Sequence, residues 1–281
     1  MASTSAPLSR EERKLRAEAE LFEAMAKESE RRARKGQRNA EQQPSATWDT
    51  YDLGHHELDD IPSLPEFSPT MEEFRDPIGY LTRCQIEASH AGGCVINAPA
   101  DWPVQPTPMS KSFRFSARAQ KVRRHQKTKD GKLGFLNHHR QHTHEEFARQ
   151  AQAFRHKVFP AASHLKDEPP PRIVERTFWD HVEQDSPDAL QVTYGNDIPH
   201  TRFPPSSASE PWNLNRLPLE VNSTLAHSSD YHFDVPGVTS PMLYVGMMFG
   251  MFCWHNEDHY LNSISYLHEG APKTWYVYLY H

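Results

Sequence analysis

The chain has only three cysteines, Cys84, Cys94 and Cys253, and none of them forms a C-x-x-C pair. That excludes a disulfide framework and a cysteine-rich zinc module, and it fits a reducing compartment. Apolar side chains are also scarce, at 37% against the roughly 45–50% of ordinary globular chains. Proline is abundant, at 23 residues, so part of the chain is expected to stay unpacked. No apolar secretory core follows Met1; the chain runs instead into Arg10, Glu11, Glu12 and Arg13. The longest apolar stretch, Met242 to Trp254, is broken by Gly246 and Gly250 and falls short of the roughly 18 residues a membrane span needs. The expectation is a soluble, intracellular protein of one or two domains that contacts no membrane.

Charge is segregated rather than scarce. The net value is −6, yet residues 111–129 carry Lys111, Arg114, Arg118, Lys121, Arg123, Arg124, Lys127 and Lys129 with no acid. Such a run suits nucleic-acid contact or a nuclear import signal, and equally a solvated loop or helix face. Residues 1–58 form a charged extension, read as an exposed helix fading into disorder. A compact unit is expected at 59–103. Ile61-Pro62 and Leu64-Pro65 favour extended backbone, and Thr70 with Glu73 makes a capping box. Phe74, Ile78, Leu81 and Ile86 recur at helical spacing, with Pro77 expected to break the element. Gly92-Gly93 then turns the chain into a short strand, Cys94-Val95-Ile96.

Residues 104–171 are basic and histidine-bearing, and they read as a helical or flexible connector. His138, His139, His142 and His144 lack a matching ligand set nearby, so a surface helix is expected there rather than a metal site. From Arg172 the character changes. Ile173, Val174, Phe178, Trp179 and Val182 suggest a packed helix, and Leu190, Val192 and Tyr194 alternate as a strand. The aromatic runs MLYVGMMFGMFCWH, SISYLH and TWYVYLY read as consecutive strands of a sandwich or barrel.

The chemistry concentrates at Phe252-Cys253-Trp254-His255-Asn256-Glu257-Asp258-His259. On a strand, positions i and i+2 share a face, so His255 and Glu257 can point at one metal ion. One imidazole and one carboxylate, joined by a second imidazole, form the facial triad of non-haem iron(II) oxygenases. The zincin pattern H-E-x-x-H is the competing possibility, but Asn256 stands where its glutamate belongs. Lys273 lies in a predicted aromatic, strand-rich core, where an ammonium is costly unless it meets an anion. A surface turn after Gly270 and Pro272 would account for it equally well.

The stretch LYVGMMFGMFCWHNEDHYLNSISYLHEGAPKTWY resembles the core of the JmjC domain. IPSLPEFSPTMEEFRDPIGYL with GGCVINAPADW resembles its partner, JmjN, and VERTFWD, QVTYGNDI and EPWNLNRLP are similar to segments leading into JmjC. The resemblance implies an α+β fold: a JmjN unit (59–103) packed on an incomplete JmjC double-stranded β-helix, or cupin-like jelly roll (172–281). The 104–171 connector lies between them, behind the helical or disordered N-terminus.

The resemblance also implies a histone lysine demethylase that uses iron(II), oxygen and 2-oxoglutarate and releases formaldehyde and succinate. His255 and Glu257 match iron ligands, and Lys273 and Tyr194 match the pair that holds the distal carboxylate of 2-oxoglutarate. Phe252 and Trp275 match aromatics lining that pocket, and Tyr244 matches a tyrosine beside the methylated lysine. Ser265 replaces the family's asparagine, which is expected to loosen the co-substrate. His268 is assigned a structural job. The implied partners are chromatin and the histone H3 tail, at its fourth-position lysine, in the nucleus. The family's third iron ligand is a histidine several strands further on, and His259 is too close to serve. This stretch is therefore expected to be truncated inside JmjC, with exposed β edges and no formaldehyde release on its own. A non-catalytic chromatin-binding or regulatory fragment is the alternative.

Overall fold

The computed structural model describes residues 47–48, 54, 56–102, 105–123, 139–165, 167–184, 186, 188–219 and 234–278. The expectation for residues 1–46 and the histidine at 138 lie outside the described residues. The chain divides into two compact units, Met1–Asp52 with Arg149–Asp167, and Leu53–Ala148 with Glu168–His281. In the first, Trp48 meets Phe159 edge-on at 5.4 Å. Arg155 donates to the carbonyl oxygens of Leu165 and Asp167.

The second unit carries the sheets. Strand β1 (Glu66–Phe67) leads to helix α1 (Met71–Phe74), whose capping box forms as expected. The Glu73 amide donates to Thr70 Oγ1 at 3.2 Å, and the Thr70 amide donates to Glu73 Oε2 at 2.9 Å. Pro77 ends that helix and starts the next, α2 (Pro77–Ala91), at a position where no amide hydrogen is needed. The Asp76 side chain caps α2 by accepting from the Gly79 amide at 3.0 Å. Gly92 closes it in the left-handed region, φ 80°, which favours glycine. Strand β2 (Val95–Ile96) then pairs in parallel with β1.

The larger sheet is antiparallel, in the order β4-β3-β5-β6. Its strands are β3 (Arg114–Lys121), β4 (His139–Thr143), β5 (Gln191–Ile198) and β6 (Leu243–Gly246). Helices α3 (His144–Val158) and α4 (Pro171–Gln184) separate β4 from β5. The architecture is α+β.

Two expectations need correction. The basic, histidine-bearing stretch is not a helical or flexible connector, because it supplies β3 and β4. Arg114, Arg118 and Lys121 are strand residues, with Phe115 and Ala117 buried between them. His139 and His142 lie on β4, and His144 opens α3. The aromatic tail is the second. Within it only Leu243–Gly246 forms a strand, while SISYLH and residues 274–278 carry no ladder hydrogen bonds. A strand exists only through a partner for its backbone groups. Here β6 is an edge of the sheet, and no described strand lies outside it.

The core that joins the N-terminal half of this unit to its later segments is aromatic. Phe74 stacks on Trp212 at 4.6 Å and meets Trp102 edge-on at 4.9 Å. Met71, Leu81 and Ile96 pack against them. Trp212 Nε1 donates to the Phe74 carbonyl at 2.6 Å, so the indole is satisfied as well as buried. Phe74→Ala is expected to destabilise the protein by about 3–5 kcal/mol, since the ring leaves a cavity between two indoles. Urea denaturation with tryptophan fluorescence measures it.

Candidate active site

Tyr194 lies mid-strand on β5 and is only 2% exposed. Two glycines lie against one edge of its ring. A methyl group added at Gly246 would lie 3.2 Å from the Tyr194 ring, and one at Gly250 would lie 3.4 Å from it. Over this ring sits Lys273, whose Nζ donates to the Tyr194 hydroxyl at 2.9 Å. The ammonium is 5.5 Å from the ring centre of Tyr194, 5.4 Å from Tyr244, 4.9 Å from Phe252 and 5.7 Å from Trp275. The rings also touch one another. Phe252 stacks on Trp275 at 5.9 Å and meets Tyr194 and Tyr244 edge-on at 5.2 and 5.6 Å. The structure thus gathers Tyr194, Tyr244, Phe252, Lys273 and Trp275 into one cage.

Burial sets the protonation of this cage. It pushes the Lys273 ammonium below the usual lysine range. It pushes the Tyr194 phenol well up, helped by Tyr244 and Asp197. Tyr244 is raised by burial and by its donation to Asp197 Oδ1 at 2.8 Å. Both phenols therefore stay protonated at neutral pH. Tyr194 accepts from Lys273, so its own hydroxyl hydrogen remains available to another acceptor.

The candidate metal ligands His255 and Glu257 lie beside the cage. The His255 ring is 6.3 Å from Phe252. His255 Nδ1 donates to the Cys253 carbonyl at 2.8 Å, which orients the ring and leaves the Nε2 lone pair free. That Nε2 is 3.8 Å from Glu257 Oε1. The two groups were expected to share the face of a strand. They do converge, but on an irregular segment, with Glu257 preceding a short turn, Asp258–Tyr260. Both side chains are about half exposed, at 52% and 46%. Among the described residues no group of three or more candidate ligands gathers around them. Ser265 is exposed, and no hydrogen bond joins it to the cage among the described residues.

Four contributors were missed in the sequence. Gln120 on β3 is 4% exposed, and its side chain grips the main chain of Met251. Nε2 donates to the Met251 carbonyl at 2.8 Å, and the Met251 amide donates to Oε1 at 3.0 Å. This pair reproduces one rung of a sheet and anchors the start of the Phe252–Glu257 segment. Gly246 and Gly250 were noted only as breaks in an apolar run, although isolated glycines in a strand pattern signal close approach. Asp197 lies at an irregularity in the β5–β6 pairing with φ 55°, a conformation that Asn and Asp tolerate best after glycine. Its neighbour Asn196 was the only local hint.

His268 belongs to a second cluster. Its ring is 4.7 Å from Phe203 and 4.9 Å from Tyr266. Tyr266 receives a hydrogen bond from Trp102 Nε1 at 3.1 Å. Arg202, 5% exposed, pairs with Glu269 and donates to the Thr107 carbonyl at 2.9 Å. Burial and the Arg202 charge hold His268 down at about 4.

The residues fit an anionic co-substrate and a divalent ion. A part-covered ammonium with no carboxylate partner among the described residues, beside a phenol hydrogen still to be donated, is a receptor for a carboxylate. An oriented imidazole and a nearby carboxylate are the start of a ligand set for a ferrous ion.

Comparison with known proteins accords with this. The JmjC domain, hydroxylase, matches residues 242–281, and the jmjN domain matches residues 65–96. Lysine-specific demethylase JMJ706 of Oryza sativa subsp. japonica is 36% identical over 237 residues, covering 81% of this chain. The chain belongs to the JmjN/JmjC family. Lysine-specific demethylase REF6 of Arabidopsis thaliana is 31% identical over 78% of the chain, and Lysine-specific demethylase 5D of Pan troglodytes is 36% identical over 51%. The chain spans only part of these relatives: 27%, 19% and 10% of their respective lengths. The JmjC match includes the ammonium, both members of the His255–Glu257 pair and every cage ring except that of Tyr194, which β5 contributes.

Two outcomes are expected. Gln120→Leu keeps the volume but strands the amide and carbonyl of Met251, costing on the order of 2 kcal/mol. Hydrogen exchange at the Met251 amide should quicken, while the amides of the β1–β2 pair stay protected. His268 is neutral when folded down to about pH 4, whereas an unfolded histidine takes up its proton near pH 6.5. Between those values the unfolded chain binds more protons, so stability falls as pH drops from about 6.5 to 4 and levels off below. His268→Asn is expected to flatten that acid slope in urea titrations run at several pH values.

Proposed function

We propose that this chain supplies the co-substrate pocket and two metal ligands of an iron(II)- and 2-oxoglutarate-dependent histone lysine demethylase. The observation that carries this reading is the Lys273 ammonium, which lies among four aromatic rings, part-covered by them although the residue is exposed, with a phenol oxygen as its acceptor among the described residues. Lys273 and Tyr194 hold the distal carboxylate of 2-oxoglutarate, one by charge and the other by its free hydroxyl hydrogen. Phe252 and Trp275 offer their stacked faces as apolar walls beside the co-substrate. Ser265, in place of asparagine, gives the co-substrate a shorter donor. His255 and Glu257 hold the iron, with Cys253 fixing the imidazole's tautomer. When bound, iron with 2-oxoglutarate and oxygen supplies the oxidising power that turns an N-methyl group into formaldehyde, leaving succinate. Tyr244, its oxygen enriched by donation to Asp197, faces that methyl group and orients it.

The proposed substrate is a methylated lysine of the histone H3 tail, the fourth-position lysine on the wording of residues 252–259 and of PWNLN. The site of action is chromatin in the nucleus. A regulatory, non-catalytic chromatin-binding module is the second reading, favoured by the two-member ligand set among the described residues.

In the full-length protein loaded with ferrous iron, formaldehyde and succinate are expected in equal amounts from a methylated H3 peptide. His255→Ala should abolish both. Lys273→Met should raise KM for 2-oxoglutarate by about tenfold or more, as the loss of a charge-assisted hydrogen bond requires. Peptide binding without formaldehyde, at saturating iron and 2-oxoglutarate, would establish the regulatory reading instead.

A further inference from the structure

One charged residue on the cage's own sheet face has no use in the site as described. Strand register places Arg118 of β3 opposite Tyr194 of β5, and Tyr194 opposite Gly246 of β6. On the other flank, Arg118 lies opposite His139 of β4. Paired residues of an antiparallel ladder project to the same face. His139, Arg118, Tyr194 and Gly246 therefore form one row across the sheet, about 14 Å long at ~4.8 Å per strand. Lys273 stands over Tyr194 and Tyr244, on the β5–β6 side of this row. Arg118 occupies the opposite flank.

Its neighbours along β3 are accounted for. Gln120 holds Met251, and Ser116 Oγ lies 3.4 Å from His139 Nδ1. Among the described residues no hydrogen bond or ion pair holds Arg118. It is only partly exposed, its Nε is sealed from solvent, and that nitrogen has no hydrogen-bond partner. No carboxylate pairs with its guanidinium among the described residues. A part-buried guanidinium without an acceptor is costly, and its planar fork matches paired oxygen acceptors better than any other side chain does.

We infer that Arg118 anchors backbone carbonyl oxygens of an extended peptide that crosses the β4 edge and delivers its modified side chain to the aromatic cage. This deepens the demethylase reading and rests on it. Two observations separate this ligand from the co-substrate. The co-substrate's carboxylate already has Lys273 and the Tyr194 hydroxyl, on the other side of β5. Beyond Arg118 the face continues through the hydroxyl of Ser116 and the imidazole of His139, hydrogen-bonding groups that can pair with peptide amides. The row ends at β4, with no described strand beyond it, and a peptide can approach from that side. Arg118 is a positioning residue: it holds the peptide, and the peptide carries the methyl group to Tyr244.

The test uses the full-length, iron-loaded protein with Arg118→Gln, which removes the charge, and Arg118→Lys, which keeps the charge but loses the fork. Kd for a fluorescein-labelled methylated H3 peptide is read by anisotropy, and KM is measured separately for peptide and for 2-oxoglutarate. R118Q should weaken peptide Kd and KM by about tenfold, the factor for one charge-assisted hydrogen bond. KM for 2-oxoglutarate and kcat should stay within about twofold of wild type, and R118K should fall between. Unchanged peptide Kd in R118Q, or a rise in KM for 2-oxoglutarate in place of the peptide's, overturns the inference. If R118Q does not fold, judged by its melting curve, R118K carries the same comparison. Wild-type protein that binds peptide yet releases no formaldehyde would overturn the demethylase reading alone, since the Kd comparison still decides the part played by Arg118.

Discussion

The site is organised around one ammonium that aromatic rings shield in part from water. Lys273 is held by a phenol oxygen at 2.9 Å and by the faces of surrounding rings. Neither replaces a counter-ion. Cation–π contacts contribute roughly 0.5–2 kcal/mol each, which offsets desolvation only in part, and the depressed basicity of Lys273 records the remainder. The rest of the local structure serves this arrangement. Tyr194 must stand upright from β5, Phe252 must return over it, and the segment leading to Phe252 must be fixed. A pocket strained in this way is relieved by an anion, which couples ligand binding to the stability of the whole cluster.

That fixing falls to the side chain of Gln120, because the sheet does not supply it. Beyond Met251 the chain leaves regular structure, and the His255–Glu257 pair rides on an irregular stretch. Its two groups still converge, since an oriented imidazole needs only the Cys253 carbonyl to define its plane. The backbone and ring contacts on either side therefore do what a strand was expected to do. This also ties β3, from the stretch first read as a connector, to the start of the segment that carries His255 and Glu257.

What could be read from residue order was mainly local chemistry. The Thr70–Glu73 capping box spans three residues and forms as expected. Pro77 and Gly92 act through their own backbones, and they end and begin elements where their chemistry says they must. The residues of the cage were named through resemblance, and the structure brings five of them together. Other features were hidden for physical reasons. The alternation in Arg114–Lys121 rests partly on small alanines, so charge masked a strand. The Gln120–Met251 bonds join positions 131 apart, and no sequence pattern announces them. Residues 263–268 have strand-like composition, but composition cannot provide a neighbouring ladder.

The glycine at 246 has an evolutionary consequence. A methyl there would sit 3.2 Å from the Tyr194 ring, so the ring would have to give by a few tenths of an ångström. At 250 the nearest obstacle is instead the Met247 carbonyl at 3.1 Å, and the phenol lies at ordinary contact distance. Bulk larger than a methyl at 246 presses on the phenol whose hydroxyl Lys273 touches, so changes at 194 and 246 should accompany one another across lineages.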